Sequence, residues 1–238
     1  MTVDEVATYF RFLADEPDKT FLPDSAIIVM MKQAYNQYYR IITDITDKPF
    51  STTHNLSNFL QAVDLTVAPN NLLGTTGPYA SKGRMTRLNA VIGVSVTGGP
   101  SIATTRTIYN YVYDGAADIT ELGQTGALKY LLQDRKLMFN TAFTGQTLQL
   151  QYTYFPDIDW TKLYVGDNEY IDEFAEFHDI ISLLMYKQYA IKDLSINPAM
   201  ENQLNARVVD FKSYLAQGQA FQNSHYVGVE YRRTYGTY

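Results

Sequence analysis

The stretch LQLQYTYFPDIDW, residues 148–160, restricts the fold more than any other part of the chain. Leu148, Leu150, Tyr152 and Tyr154 alternate with Gln149, Gln151 and Thr153. Side chains repeat every two residues along a strand, so this segment has one apolar and one polar face. Something must cover the apolar one. Pro156, Asp157 and Asp159 end the pattern. Upstream, KLMFNTAF places Leu137, Phe139 and Phe143 on one side, and Thr144, Gly145 and Gln146 supply a short turn. The two runs read as a hairpin.

The C-terminal third offers the cover. NEYIDEFAEFHDIISLLMYKQYAIKD carries Asp172, Glu173 and Glu176 early and Lys187 and Lys192 late, an order that complements the helix dipole. Its middle, IISLLMY, is apolar nearly all round, which predicts neighbours on more than one side. A last helix follows, capped by Asn197, with Pro198 in its first position. Met200, Leu204, Val208, Phe211 and Leu215 form its stripe, and Gly218 suits its exit. Residues 219–238, AFQNSHYVGVEYRRTYGTY onward from Ala220, read as an extended tail.

At the other end, Thr2 and Glu5 have capping-box spacing, and Val6, Phe10 and Leu13 share a helical face. A break over residues 15–23 precedes a second helix, which Asp24 or Ser25 can cap. Ile27, Met31, Ala34, Tyr38 and Ile41 trace its buried stripe as far as Thr43, and the two helices read as packed together. Between about Asn55 and Thr125 Gly, Thr, Asn and Pro are frequent. AVDLTVAP and RLNAVIGVSVTGG are strand candidates there, PNNLLGTTGPYASKGR is a long loop, and GGPSIATTRTIYNYVYDG adds another strand. The fold class is therefore α+β: about four helices packed with a β-hairpin or small antiparallel sheet. Residues 1–54 and 126–218 make the core, residues 55–125 a β-rich insertion, and residues 219–238 the tail.

Composition excludes more than it selects. With no cysteine there is no disulfide framework, thiolate nucleophile or zinc–cysteine site. The start MTVDEVATYF is acidic where a signal peptide carries Lys or Arg, and no apolar run reaches membrane-spanning length. A net charge of −6 argues against nucleic acid held on a basic surface, although not against DNA passing nearby. Tyrosine is the outlier, at 20 residues, and suits surfaces that are buried on assembly as well as core edges.

Motifs for chemistry are sparse. His54, His178 and His225 lie far apart, and His178 reads as a solvated helical histidine. Asp157 and Asp159 have the makings of a cation-binding pair, against a loop-capping role. The glycines of LLGTTGPY and VTGGPS lack the residues of a phosphate loop, and no nucleophile elbow occurs. The chain reads as non-enzymatic, with no cofactor or metal. The most distinctive polar cluster is YRRTYGT: Arg232 and Arg233 lie among Tyr226, Tyr231, Tyr235 and Tyr238. Tyr and Arg concentrate binding energy at protein interfaces, and the acidity of the chain favours that over base stacking.

The order of these elements resembles the tailed-phage head–tail adaptors, also called connector or head-completion proteins. The resemblance rests on Tyr152, Tyr154 and Pro156 at the strand end, and on Tyr170, Phe174 and Phe177 at the helix entry. Leu184 and Ala190 match its apolar continuation. It covers roughly residues 20–65 and 130–216. It implies a structural protein of the bacteriophage virion, located at the neck and assembled in the host cytoplasm. It further implies a ring, commonly of twelve copies, beneath the portal protein, extending the DNA channel toward a downstream tail or nozzle protein. On that view the Tyr/Arg tail contacts the portal, the β-rich insertion contacts the next tail component, and DNA passes without specific binding. Another neck, tail-ring or collar subunit is the alternative, followed by a carboxylate-dependent hydrolase using Asp157 and Asp159.

Overall fold

The computed structural model describes residues 1–16, 22–56, 62–77, 79–80, 82–97, 103–108, 110–111, 129–139, 147–164, 171–192 and 197–226. For 95–97, 103–108, 110–111, 129 and 219–226 it describes backbone alone. The chain is α+β and forms two compact units: Met1–Asp47 with Ile158–Tyr238, and Lys48–Asp157. The β-rich unit is wider at both ends than the insertion expected over residues 55–125. The reason is pairing: strands on either side of that span hydrogen-bond to strands within it.

Among the described residues four α-helices build the first unit: α1 (Val3–Ala14), α2 (Asp24–Thr43), α3 (Asp179–Lys192) and α4 (Pro198–Tyr226). Thr2 closes the expected capping box. Its hydroxyl accepts from the Glu5 N–H at 3.3 Å, and its own N–H donates to the Glu5 carboxylate at 2.8 Å. At α2 the expectation fails. The N-cap residue is Pro23, which makes no side-chain cap bond, and not Asp24 or Ser25. Asp24 is instead engaged by Arg11, whose guanidinium donates to it at 2.9 Å and to the Leu22 carbonyl at 2.9 Å. The buried stripe of α2 ends on Ile42 rather than Ile41.

α3 is the centre of this unit. Ile180, Ile181, Ser182, Leu183, Leu184 and Met185 are all buried, as an all-round apolar helix requires. Its neighbours are α1, α2 and α4 of the same chain. α1 and α2 thus each pack on α3, rather than chiefly on each other. The Ser182 hydroxyl, itself buried, donates to the Val6 carbonyl at 2.9 Å and ties α3 to α1. Its own chain thus covers residues 180–185 of α3, while Ile191 near its end stays exposed. Asn197 caps α4 as its sequence indicates, accepting from the Ala199 N–H at 3.0 Å. The helix then passes through Gly218 to Tyr226. The exit expected at Gly218, and an extended course from residue 219, are therefore corrected. Glycine weakens a helix interior by only about 1 kcal/mol, and a helix already nucleated on a packed stripe tolerates it.

Among the described residues the β-rich unit holds two four-stranded sheets, β1-β8-β3-β4 and β2-β7-β6-β5. The strands are β1 (Ser51–Leu56), β2 (Ala62–Asp64), β3 (Gly83–Thr97), β4 (Ala103–Ile108), β5 (Asn110–Tyr111), β6 (Lys129–Gln133), β7 (Lys136–Phe139) and β8 (Thr147–Pro156). The hairpin expected between the KLMF and LQLQYTY runs does not form. β7 pairs with β6 and β2, whereas β8 pairs with β1 and β3. The true hairpin is β6–β7, turned by Asp134 and Arg135, both with positive φ (49° and 63°), as a two-residue turn between twisted strands requires. The expected turn residues 144–146 lie outside the described residues.

The apolar face of β8 is as expected, with Leu148, Leu150, Tyr152 and Tyr154 buried, whereas on the polar face Gln151 is exposed, Gln149 is half-buried and Thr153 is buried. Part of its cover comes from within the unit, where the Phe50 ring meets Tyr154 edge-on at 6.1 Å. The fifteen-residue β3 carries two register shifts against β8, at Met85/Arg87 and Leu88/Ala90. The side chains of the extra residues fasten to the partner strand. Thr86 donates to the Thr153 carbonyl at 3.1 Å, and the Asn89 amide to the Thr153 hydroxyl at 3.0 Å. Gly83 opens β3 so close to β8 that a Cβ there would lie 1.9 Å from the Phe155 carbonyl oxygen. A segment between β2 and β3 bonds to both sheets: the Leu65 N–H donates to the Arg135 carbonyl at 3.1 Å, and the Met85 N–H to the Leu72 carbonyl at 2.8 Å.

Candidate functional site

The structure separates the sequence's candidate residues. Asp159 caps a 3-10 turn over Trp160–Lys162, accepting from the Thr161 N–H at 3.1 Å and from the Thr161 hydroxyl. Those two bonds, the hydroxyl's first, hold its carboxyl below the usual aspartate range. Its Oδ1 is thus engaged locally, as the loop-capping reading has it. Asp157 belongs to the other compact unit, where its N–H donates to the Lys82 carbonyl at 3.1 Å. Among the described residues no group of three or more His, Asp or Glu side chains is placed to hold a metal ion. His54 is bonded to Asn70 across 2.9 Å.

His178 departs most from its expected place. It is fully buried rather than solvated, at the junction between a 3-10 turn over Ala175–Phe177 and α3. Its Nε2 lies 2.6 Å from the Asp172 Oδ1, and its Nδ1 lies 3.1 Å from both the Met1 nitrogen and the Met1 carbonyl oxygen. Asp172 in turn accepts from the Phe174 N–H at 2.9 Å. The helical pattern through Asp172 and Glu173 misplaced the start of α3, so an intended surface position became an interior one. Tyr38 packs edge-on against the imidazole at 6.0 Å. Burial first, then the Asp172 carboxylate, pushes the Tyr38 hydroxyl far above its ordinary value, and it stays protonated. With no exposure at His178, the pair ties the approach to α3 to the start of the chain.

An aromatic cluster lies beside it. Phe211 stacks on Phe177 at 4.6 Å and on Tyr38 at 5.3 Å, and meets Phe174 edge-on at 5.5 Å. Arg207 grips Asp179 with two bonds of 2.6 and 2.9 Å, and its guanidinium carbon lies 5.1 Å from the centre of the Phe177 ring. From this cluster α4 turns apolar side chains outward: Tyr214 is 52 % exposed, although it touches Phe177 at 5.2 Å, and Val209 is 61 % exposed. The tyrosines divide accordingly. Tyr35, Tyr38 and Tyr152 are core, while Tyr214 is surface.

Of the expected interface residues, Tyr226 is the last residue of α4. Tyr231, Arg232, Arg233, Tyr235 and Tyr238 lie outside the described residues. Phe174 and Phe177, expected at the helix entry, and Leu184 and Ala190, expected in its apolar continuation, are all buried. Tyr170 lies outside the described residues. No helix among the described residues is long and apolar enough to cross a membrane. No family model matches the chain, and no curated protein matches its sequence.

Proposed function

We propose that this chain is a structural head–tail adaptor of a tailed phage, one subunit of a ring beneath the portal that extends the DNA channel and receives the tail. The length of α4 carries this reading. At about 1.5 Å per residue its 29 residues span roughly 43 Å, against roughly 21 Å for the 14 of α3. Leu215 is the last of its described side chains to be buried, and the helix runs on to Tyr226. The Tyr/Arg-rich residues 226–238 therefore follow a long helix whose residues 216–218 are already exposed, a form that suits a contact to the portal. The two-unit organisation supports a division of labour, with the β-rich unit meeting the next tail component. The net charge of −6 lets DNA slide past without releasing counterions.

Imaging of purified phage particles tests the reading. The expected result is this chain in a ring between portal and tail, in a copy number that follows the symmetry there. A chain absent from particles, or one that turns over a phosphoester substrate and loses that activity in an Asp157→Asn, Asp159→Asn double variant, would overturn it.

A further inference from the structure

We infer that the β1 edge of one copy pairs with the β4 edge of another, so that the sheet β1-β8-β3-β4 continues from copy to copy. Among the described residues β1 and β4 are the two edges of that sheet. Within it every neighbouring pair is antiparallel: β1 with β8, β8 with β3, and β3 with β4. Strand directions therefore run up, down, up, down from β1 to β4. If a second copy is set alongside in the same orientation, its β1 runs opposite to the β4 it meets. The junction then repeats the antiparallel pairing that the sheet already uses.

The two edges also match in length, at six residues each, SerThrThrHisAsnLeu and AlaThrThrArgThrIle. β1 carries no charge and no proline, and β4 carries Arg106 alone. Edges meant to stay unpaired usually bear such blocking residues, so β1 lacks that protection and β4 has it at one position. A single copy cannot join them to each other. Three strand spacings of about 4.8 Å separate them, roughly 14 Å, and four strands are too few to close a barrel. Pairing two unlike edges is head-to-tail, and such a contact ends either in a closed ring or in an open filament. Closure into a ring rests on the adaptor reading; the edge pairing does not. For twelve copies, four strands each at about 4.8 Å give a circumference of at least about 230 Å.

The absence of cysteine makes the test clean. Thr53→Cys is combined with Thr104→Cys, and separately with Arg106→Cys, in the full chain, to cover two registers. The protein is oxidised both free at high concentration and within particles, then run on non-reducing gels. A disulfide needs Cα atoms within about 7 Å, so a bond inside one copy is excluded and any bond joins two copies. A ladder of covalent oligomers from a double variant is expected, with the single variants remaining monomeric. Dimers from Thr53→Cys or Thr104→Cys alone would mean that like edges pair, and would overturn the inference. So would particles that contain the ring but yield no ladder, an outcome that leaves the adaptor reading intact. A ladder from a protein absent from particles would do the reverse: the edge pairing would stand and the adaptor reading would fall.

Discussion

The helical unit and the β-rich unit reach their cores by opposite routes. The first joins the two ends of the chain through side chains, with α3 as a hub whose apolar residues point in every direction. The second is held by backbone ladders, above all the pairing of β3 with β8 along nearly their whole lengths. A hub concentrates stability in a few interior positions. A ladder spreads it over many bonds and is most sensitive where two backbones come closest. Substitutions at the two kinds of position should therefore fail differently.

Phe211→Ala is the harshest test of the hub. Phe211 is fully buried against Tyr38, Phe174 and Phe177. Truncating a core phenylalanine costs about 3–5 kcal/mol. Hydrogen exchange read by mass spectrometry should show protection lost over α2, α3 and α4 while β3 and β8 keep theirs. Equal loss in both units would break the distinction. Gly83→Ala is the corresponding test of the ladder, because its Cβ meets backbone and no side chain can yield. Overpacking of this kind costs about 1–3 kcal/mol. Exchange should quicken along β3 and β8 and leave α3 unchanged.

What the sequence revealed follows the same division. Elements defined by their own residues were legible: the Thr2–Glu5 capping box, Asn197 and Pro198 at the start of α4, and the alternation from Leu148 to Tyr154. Elements defined by a distant partner were not. Nothing within KLMF says that β7 joins β6 through Asp134–Arg135 rather than β8, because Asp-Arg is not a habitual hairpin turn and the partner must supply the missing information. His178 was misread for a related reason. Its burial depends on Met1, 177 residues away in sequence, and on a loop aspartate that a helical period placed on a surface. The Tyr/Arg cluster proposed to bind a partner was legible as composition alone, and its role awaits that partner.

A smaller effect sharpens the account of the hub's outer layer. α1 packs on α3, and the Thr2 cap sits at its start. Thr2→Ala should cost about 1 kcal/mol, and Thr2→Ser much less, since the hydroxyl is what accepts the Glu5 N–H. Denaturant midpoints for the helical unit report the difference. A cost well above that figure would mean that the first turn of α1 supports the Met1–His178 contact as well as its own helix.

The smallest effect is common to both units and so isolates local chemistry from packing. Asp64 in the β-rich unit and Asp159 in the helical unit each accept two bonds from the threonine two residues on, Thr66 and Thr161. In both cases the hydroxyl bond, then the backbone bond, lowers the carboxyl's proton affinity. A carboxyl depressed by folding contributes stability that is fully present above its unfolded value, near pH 4, and that disappears as pH falls through the folded value. Thr66→Val and Thr161→Val should each raise the titration midpoint of the neighbouring aspartate, read by NMR, because the hydroxyl donor is gone while the backbone donor remains. The stability difference from the parent should be present at neutral pH and vanish in acid, by similar amounts in the two units despite their different cores. If only one unit responded, the motif would not be acting locally there, and the packing around it would have to be counted in its place.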